Sequence, residues 1–134
     1  MTSPRPPADL DRLAAGKYVL LTTFRRDGRA VPTPVWVVRD GDALALWTVR
    51  DSGKVKRIRN SGRVTVAECD ARGNARGDAV PGHAELLDAA GTEHCRALIR
   101  RKFGLTGRLT LLGSRLRRGV DGTVGVRVEL GDRD

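Results

Sequence analysis

The stretch Trp47-Thr48-Val49-Arg50-Asp51-Ser52-Gly53-Lys54-Val55-Lys56-Arg57 carries the strongest chemical signal in the chain. A strand-like run ends at Thr48, and a Ser-Gly turn leads into KVKRIRN over Lys54–Asn60. If that stretch is helical, its N-terminus presents free backbone amides beside the Ser52 hydroxyl and the Lys54 ammonium, which is a cradle for phosphate. Lys54 and Arg57 lie three positions apart, hence on one helix face. The pattern is not a Walker A loop, which needs Gly where position 48 is Thr. The competing reading is a plain capped basic helix that holds no ligand.

A second unusual segment is Val31-Pro32-Thr33-Pro34-Val35-Trp36. Prolines at i and i+2 remove two amides that would point to the same side of a strand. On that side the strand cannot donate to a ladder, so it is an edge or a split in the sheet. The amides of Thr33 and Val35 point the other way. One reading is an ordinary protected edge. The sharper reading is a sheet opening where exposed backbone meets a planar ligand.

Other chemistries find no support. There is no GxSxG or GxGxxG, and His83 has no partner nearby in sequence, which favours a structural role for it. Nothing pairs a protein nucleophile with a base, so an enzyme built on this chain would take its chemistry from a cofactor. Cys69 and Cys95 stand 26 positions apart with no CxxC, and the histidines are only His83 and His94. That spacing excludes the usual Cys/His zinc clusters and fits free thiols in a reducing compartment. No metal site is expected.

The net charge of +9 is unevenly spread. Arg50–Arg63 holds six basic residues and one acid, Asp51, for +5; Arg96–Arg118 holds eight basic residues and no acid, for +8. The rest of the chain is therefore net negative, at −4. Two local patches, rather than a basic coat, would attract anions: nucleic acid, a phosphorylated cofactor or an acidic substrate. Two solvated helix faces would look the same.

The elements that must position these residues are mostly strands. The 134 residues fit one domain, with residues 1–8 a Pro-rich disordered tail and residues 9–131 the folded unit. Asp9–Ala15 starts as a short helix that Gly16 ends. Lys17–Phe24 and Arg29–Val38 flank Asp27-Gly28, a hairpin signal, and Asp40-Gly41 turns the chain into Asp42–Thr48. Arg63–Cys69 is a fourth strand, and Asn74–Asp88 a fifth, broken or bulged around Gly77, Pro81 and Gly82. From Thr92 the period becomes helical, with Gly104 as a stop and Leu109–Leu116 a second short helix; Thr123–Leu130 is a last strand. Only five residues are aromatic, so aliphatic side chains must fill the core. The pattern predicts an α+β, mainly β fold: a small six-stranded antiparallel barrel with a few short helices.

These residues resemble the flavin/deazaflavin split-barrel oxidoreductases, the superfamily of pyridoxamine 5′-phosphate oxidase. Within it they are most similar to the B-type actinobacterial members that use the deazaflavin coenzyme F420. The resemblance rests on Lys17–Phe24, on Asp27-Gly28 followed by Pro32–Trp36, on Trp47-Thr48 leading to Ser52–Arg59, and on the strand Val64–Val66; it spans roughly Asp9 to Leu130. It implies a homodimeric split β-barrel with a cofactor cleft at each end of the interface. Pro32, Thr33, Pro34, Val35 and Trp36 would line the ring system with backbone groups, with Trp47 beside it. Thr48, Ser52, Gly53, Lys54 and Arg57 would hold the phosphate. Lys56 and parts of Arg96–Arg118 would meet the acidic oligoglutamate tail of F420, a tail that FMN lacks. No residues match the substrate-binding set of pyridoxamine phosphate oxidase itself.

The function so implied is hydride transfer between F420 and a small electron-poor organic substrate. FMN on the same barrel and a non-catalytic cofactor carrier are the alternatives. A nucleic-acid-binding domain is disfavoured, because both tryptophans fall on strands around the cleft and few other aromatics remain for base stacking. The longest apolar runs, such as Tyr18–Leu21, are far below the roughly 20 residues of a membrane span, and the start lacks a signal-peptide apolar region. The expectation is a soluble cytoplasmic protein with no membrane partner.

Overall fold

A computed structural model describes residues 3–4, 7–118 and 122–132. The chain runs β1 (Ser3–Pro4), α1 (Pro7–Ala15), β2 (Tyr18–Phe24), β3 (Ala30–Asp40), β4 (Ala43–Val49), α2 (Gly53–Asn60), β5 (Arg63–Cys69), β6 (Val80–Leu86), α3 (Ala89–Arg118) and β7 (Thr123–Asp132). The strands follow the order β1-β7-β4-β3-β2-β5-β6, all pairings with stated register are antiparallel, and β6 also pairs with β7. That last pairing closes β2 to β7 into a six-stranded barrel, as the strand pattern predicts.

Alternation does the sorting. Val19 and Leu21, Val35 and Val37, Leu44 and Leu46, Val64 and Val66, Val126 and Val128 are all buried in one central cluster. Each pair sits at period two on its strand, so each sends both side chains to the barrel interior. Leu10 and Leu13 of α1 and Ile58 of α2 join the same cluster. A second cluster forms outside the barrel, where Val38 and Ala45 on the outer face meet Cys95, Ile99 and Leu111 of α3. Because α3 covers its outside, β4 is buried on both faces from Ala43 to Leu46.

Turn chemistry holds the hairpins in register. Between β3 and β4 the loop is Gly41-Asp42, and Gly41 (φ 61°) takes the left-handed conformation that the first central position of such a turn demands. Between β2 and β3, Asp27 accepts from the Arg29 amide at 3.0 Å. Helix α1 begins with Pro7 at its first position, two residues before the sequence pattern places it, which suits a residue with no amide to offer. Of the expected tail over residues 1–8, residues 1, 2, 5 and 6 lie outside the described residues, and Ser3-Pro4 pairs with Gly131-Asp132.

Three expectations are corrected. The fifth strand starts at Val80, not Asn74: Asp70 accepts from the amides of Arg72 and Asn74, both at 2.9 Å, and folds residues 70–74 into a turn. Only Ala75 of that stretch touches the sheet, as an isolated bridge to Cys69. The late helix starts at Ala89 rather than Thr92, because Asp88 caps it by accepting from Gly91 N at 2.8 Å. Gly104, at φ 58°, ψ −131°, ends the first helical segment as the sequence predicts, but the second segment begins directly after it and reaches Arg118, longer than the expected Leu109–Leu116.

Candidate functional site

β3 uses its two edges unequally. Ala30–Trp36 pairs with Phe24–Tyr18 of β2, whereas pairing to β4 covers only Val37–Asp40 against Leu46–Ala43. Val37 N donates to Lys17 O at 3.2 Å, so the odd-numbered amides face β2 and those of positions 32 and 34 would face away. Those two positions are the prolines. The strands therefore part where β3 has no donors to give, and Trp47–Val49 of β4 pair only with β7. The split that the proline pair allows is realised, in preference to a plain outer edge.

The same parity places the side chains. Val35 belongs to the interior cluster and its amide faces β2, so at the split the backbone on offer is that of the even-numbered positions 32, 34 and 36. Pro32 is exposed, and Thr33 and Pro34 are half-buried. Trp36 points outward and stacks on Phe103 of α3, with ring centroids 4.3 Å apart and planes at 14°. A cavity of about 360 Å³ opens there, lined by Lys17, Tyr18, Trp36, Lys102, Phe103 and Thr106 among others. Lys102 Nζ donates to the carbonyls of Ala14 (2.8 Å), Gly16 (2.6 Å) and Val37 (2.7 Å), tying α3 to the end of α1 and to β3. Burial lowers its pKa.

Beyond the split, β4 delivers Trp47 to the outer cluster, and Thr48, 9% exposed, lies between the half-buried Trp47 and Val49. The Trp47 indole N–H is buried with no acceptor among the described residues. It lines a second cavity, of about 320 Å³, together with Val49, Leu109, Thr110, Ser114 and Arg117. The turn that follows is held by Ser52 N donating to Val49 O at 3.2 Å, and Lys56 N donating to Ser52 O at 3.3 Å opens α2. Ser52 is the N-cap residue, yet its side chain makes no capping bond, and its Oγ is buried without a partner among the described residues. An N-cap serine ordinarily spends that oxygen on an amide of the first turn.

Cations collect at the same end of α2. The first turn holds no acid, and Lys54 and Arg57 share a half-buried face while Val55 and Ile58 pack inward. Arg57 folds back over the helix start: a Cβ on Gly53 would stand 2.7 Å from its Nη1. Its Nε donates to Thr23 Oγ1 at 2.6 Å. Burial, and then the neighbouring Arg57, lower the pKa of Lys54; burial, and then Arg25, lower that of Arg57. Among the described residues no carboxylate lies within salt-bridge distance of Lys54, Arg57 or Arg25. Three cations, a row of helix-start amides and an idle hydroxyl converge without a protein anion.

Register relates the two halves. Thr23, which receives Arg57, pairs with Val31, and Tyr18 pairs with Trp36. The basic cluster thus sits at one end of the proline segment and Trp36 at the other, roughly 17 Å away along the strand. Ser52, Gly53, Lys54 and Arg57 are brought together. Thr48 is buried, and Lys56 is exposed on another side of the helix, outside that cluster. Thr23, Arg25, Phe103 and Lys102 are site neighbours that local motifs do not reveal. Thr23 had a faint signal, as a polar residue on the inward-facing parity of β2, fully buried. Both cysteines are buried free thiols, and Cys95 Sγ donates to Leu46 O at 3.4 Å.

No protein-family model and no curated protein matches the chain. Solved structures do. A candidate pyridoxamine 5′-phosphate oxidase from Listeria innocua superposes with a TM-score of 0.64 at 14% identity, over 92% of this chain and 91% of that one. An F420 reductase gives 0.62 at 19% identity, covering 90% of this chain and 91% of its own. HutZ, the heme storage protein of Vibrio cholerae, gives 0.62 at 11% identity, over 97% and 92%. At such identities the likeness supports the fold alone, the closed six-stranded antiparallel barrel described above.

Proposed function

We propose that this split barrel is an oxidoreductase that binds F420 and passes a hydride between it and a small electron-poor organic substrate. The observation that carries the reading is the buried, unbonded Ser52 hydroxyl at the start of α2, among Lys54, Arg57 and Arg25. A phosphate group answers each feature at once, since its oxygens accept from the hydroxyl and the amides and its charge offsets the cations. The residues fit the group. Ser52, Gly53, Lys54 and Arg57 would hold the phosphate, and Pro32–Trp36 would present backbone to the ring, with Trp47 on the far side of the split. When bound, the deazaflavin supplies the hydride donor and acceptor. The chain would orient the ring along the split, with the stacked Trp36–Phe103 pair marking its far end. Lys56, exposed on α2, and Arg117, at the mouth of the Trp47 cavity, are the cations placed to meet an acidic oligoglutamate tail. The same reading takes the protein as a homodimer with the cofactor at the interface.

The decisive experiment is a fluorescence titration of the apo-protein with F420 and, separately, with FMN, at two salt concentrations. Tight, salt-sensitive binding of F420 alone supports the reading. Preference for FMN moves the protein to flavin chemistry on the same cradle. Binding of neither overturns it. Lys54→Ala is expected to raise the F420 Kd by about tenfold or more at low salt, with the penalty shrinking as salt rises. Sedimentation with and without F420 tests the dimer.

A further inference from the structure

The barrel interior is filled by aliphatic side chains, and the few aromatic ones collect outside it. Of the five in the chain, Tyr18, Trp36 and Phe103 all line the cavity of about 360 Å³ beside β2 and β3. Tyr18 and Trp36 are register partners, and with Val19, Val35 and Val37 turned inward both point out of the barrel. Phe103 comes just before the Gly104 bend and Thr106 just after it, so that bend brings both to the cavity wall. Lys102 holds the arrangement, because its three protons go to the carbonyls of Ala14, Gly16 and Val37. The walls are thus built without a ligand.

Polar groups around these aromatics are idle. Among the described residues the side chains of Lys17, Tyr18 and Thr106 make no hydrogen bond or ion pair. The lining holds two lysines and no acid. Lys102 meets carbonyls rather than carboxylates, and burial lowers its pKa. A conjugated ring suits the aromatic walls, and a carboxylate on that ring suits Lys17. The Tyr18 and Thr106 hydroxyls can donate to the same carboxylate. The volume lies near the lower end of the roughly 300–1,000 Å³ of small-molecule pockets, enough for one or two fused rings with a short arm. An apolar protein surface laid over the cavity would instead bury the ammonium and both hydroxyls unpaired, which costs free energy.

We propose that the cavity between Tyr18, Trp36 and Phe103 binds a small planar aromatic carboxylate. It is a site apart from the phosphate cradle, which lies at the other end of the proline segment, and it stands whichever cofactor the split takes. Its test is calorimetric titration of the full apo-protein with 2-naphthoate and with 2-naphthamide, which keeps the rings and loses the charge. 2-Naphthoate should bind in the submillimolar range, about threefold to fivefold tighter than the amide at low salt, and added salt should narrow the gap. Lys17→Gln should remove that preference and leave the amide affinity as it was. Thr106→Phe, which fills the cavity from its exposed side, should weaken both ligands by about tenfold or more while keeping the wild-type solution mass and thermal unfolding. If the phenylalanine impairs folding, Tyr18→Phe replaces it, with an expected loss of about threefold for 2-naphthoate. Lys54→Ala should leave both affinities unchanged, which separates this site from the cradle. Absence of submillimolar 2-naphthoate binding overturns the proposal, as does equal affinity for acid and amide. Undiminished binding by the folded cavity variant, or loss of binding in Lys54→Ala, also overturns it. So does a Thr106→Phe variant that turns a wild-type dimer into a monomer, because the cavity would then be a face between copies.

Discussion

Ser52 gives the unliganded protein a buried hydroxyl with nothing to bond among the described residues, a group that costs free energy until something accepts or donates to it. Removing it should therefore act in opposite directions on the two states. Ser52→Ala is expected to raise apo-protein stability by about 1 kcal/mol in chemical denaturation, while weakening F420 binding in the titration. A purely structural serine would lose stability on the same substitution. Lys54 adds a pH signature. Its pKa lies below 10.5 in the folded chain, so between the lowered value and 10.5 the unfolded state binds more protons and stability rises with pH. Phosphate affinity should move the other way, falling as pH rises through the lowered value because the neutral amine attracts no anion. Lys54→Arg, which stays charged, should hold its affinity across that alkaline range. Parallel affinity curves for the wild type and the Lys54→Arg variant would remove Lys54 from the cradle.

At the scale of elements, Gly104 and Gly113 make a controlled pair on the same helical stretch. Gly104 holds φ 58° with ψ −131°, a backbone region closed to residues with a side chain, and nothing crowds a Cβ there, so the conformation alone requires glycine. Gly104→Ala should cost about 1–3 kcal/mol by straightening or straining the kink. Gly113 also has open space around a Cβ but no positive φ, so Gly113→Ala should stabilise by about 0.5–1 kcal/mol. Equal effects in urea unfolding would mean that the kink is not held by this residue. The pair also marks what local sequence conveys. Period-two aliphatics, the Asp-Gly turns and the Pro32/Pro34 parity all act within a few residues, so six strands and an interrupted ladder at the prolines can be read from them, whereas its place between β3 and β4 comes from the pairing. The partners of those elements are set at long range. Nothing adjacent to Arg57 points to Thr23, 34 residues earlier. The Asp70 turn delays β6 to Val80 by bonds that compete with strand pairing. Helical spacing identifies the late helices, yet which side of α3 meets the barrel is set by its contacts with Val38 and Ala45 on distant strands.

Across the whole molecule, the question is whether the layer outside the barrel opens with it or alone. Cys95 sits in that layer, fully buried between α3 and β4, and Cys69 lies at the end of β5 against the barrel. Burial pushes the Cys95 thiol up to about 12 from an ordinary 9.0, so the folded protein holds it neutral across the whole range in which thiol reagents are used. The same shift has a stability consequence. The unfolded thiol ionises above about 9 while the folded one does not, so the contribution of neutral burial is intact below pH 9 and fades as pH approaches 12. α3 is joined to β3 and the end of α1 by the three Lys102 bonds, and to β7 by Gly125 N donating to Thr92 Oγ1 at 3.0 Å in its first turn. Polar ties at both ends of the first helical segment, with Ile99 packed between them, argue for one cooperative unit. Cys95 should then react with a disulfide reagent at pH 8 only through global unfolding, with an opening free energy, read where reclosing outpaces labelling, equal to that from denaturant titration. Labelling that runs orders of magnitude faster would show α3 lifting off an intact barrel. Lys102→Met should distinguish the two situations further, accelerating Cys95 labelling much more than it lowers the unfolding midpoint if the helix opens by itself, and in proportion to it if barrel and helix unfold together.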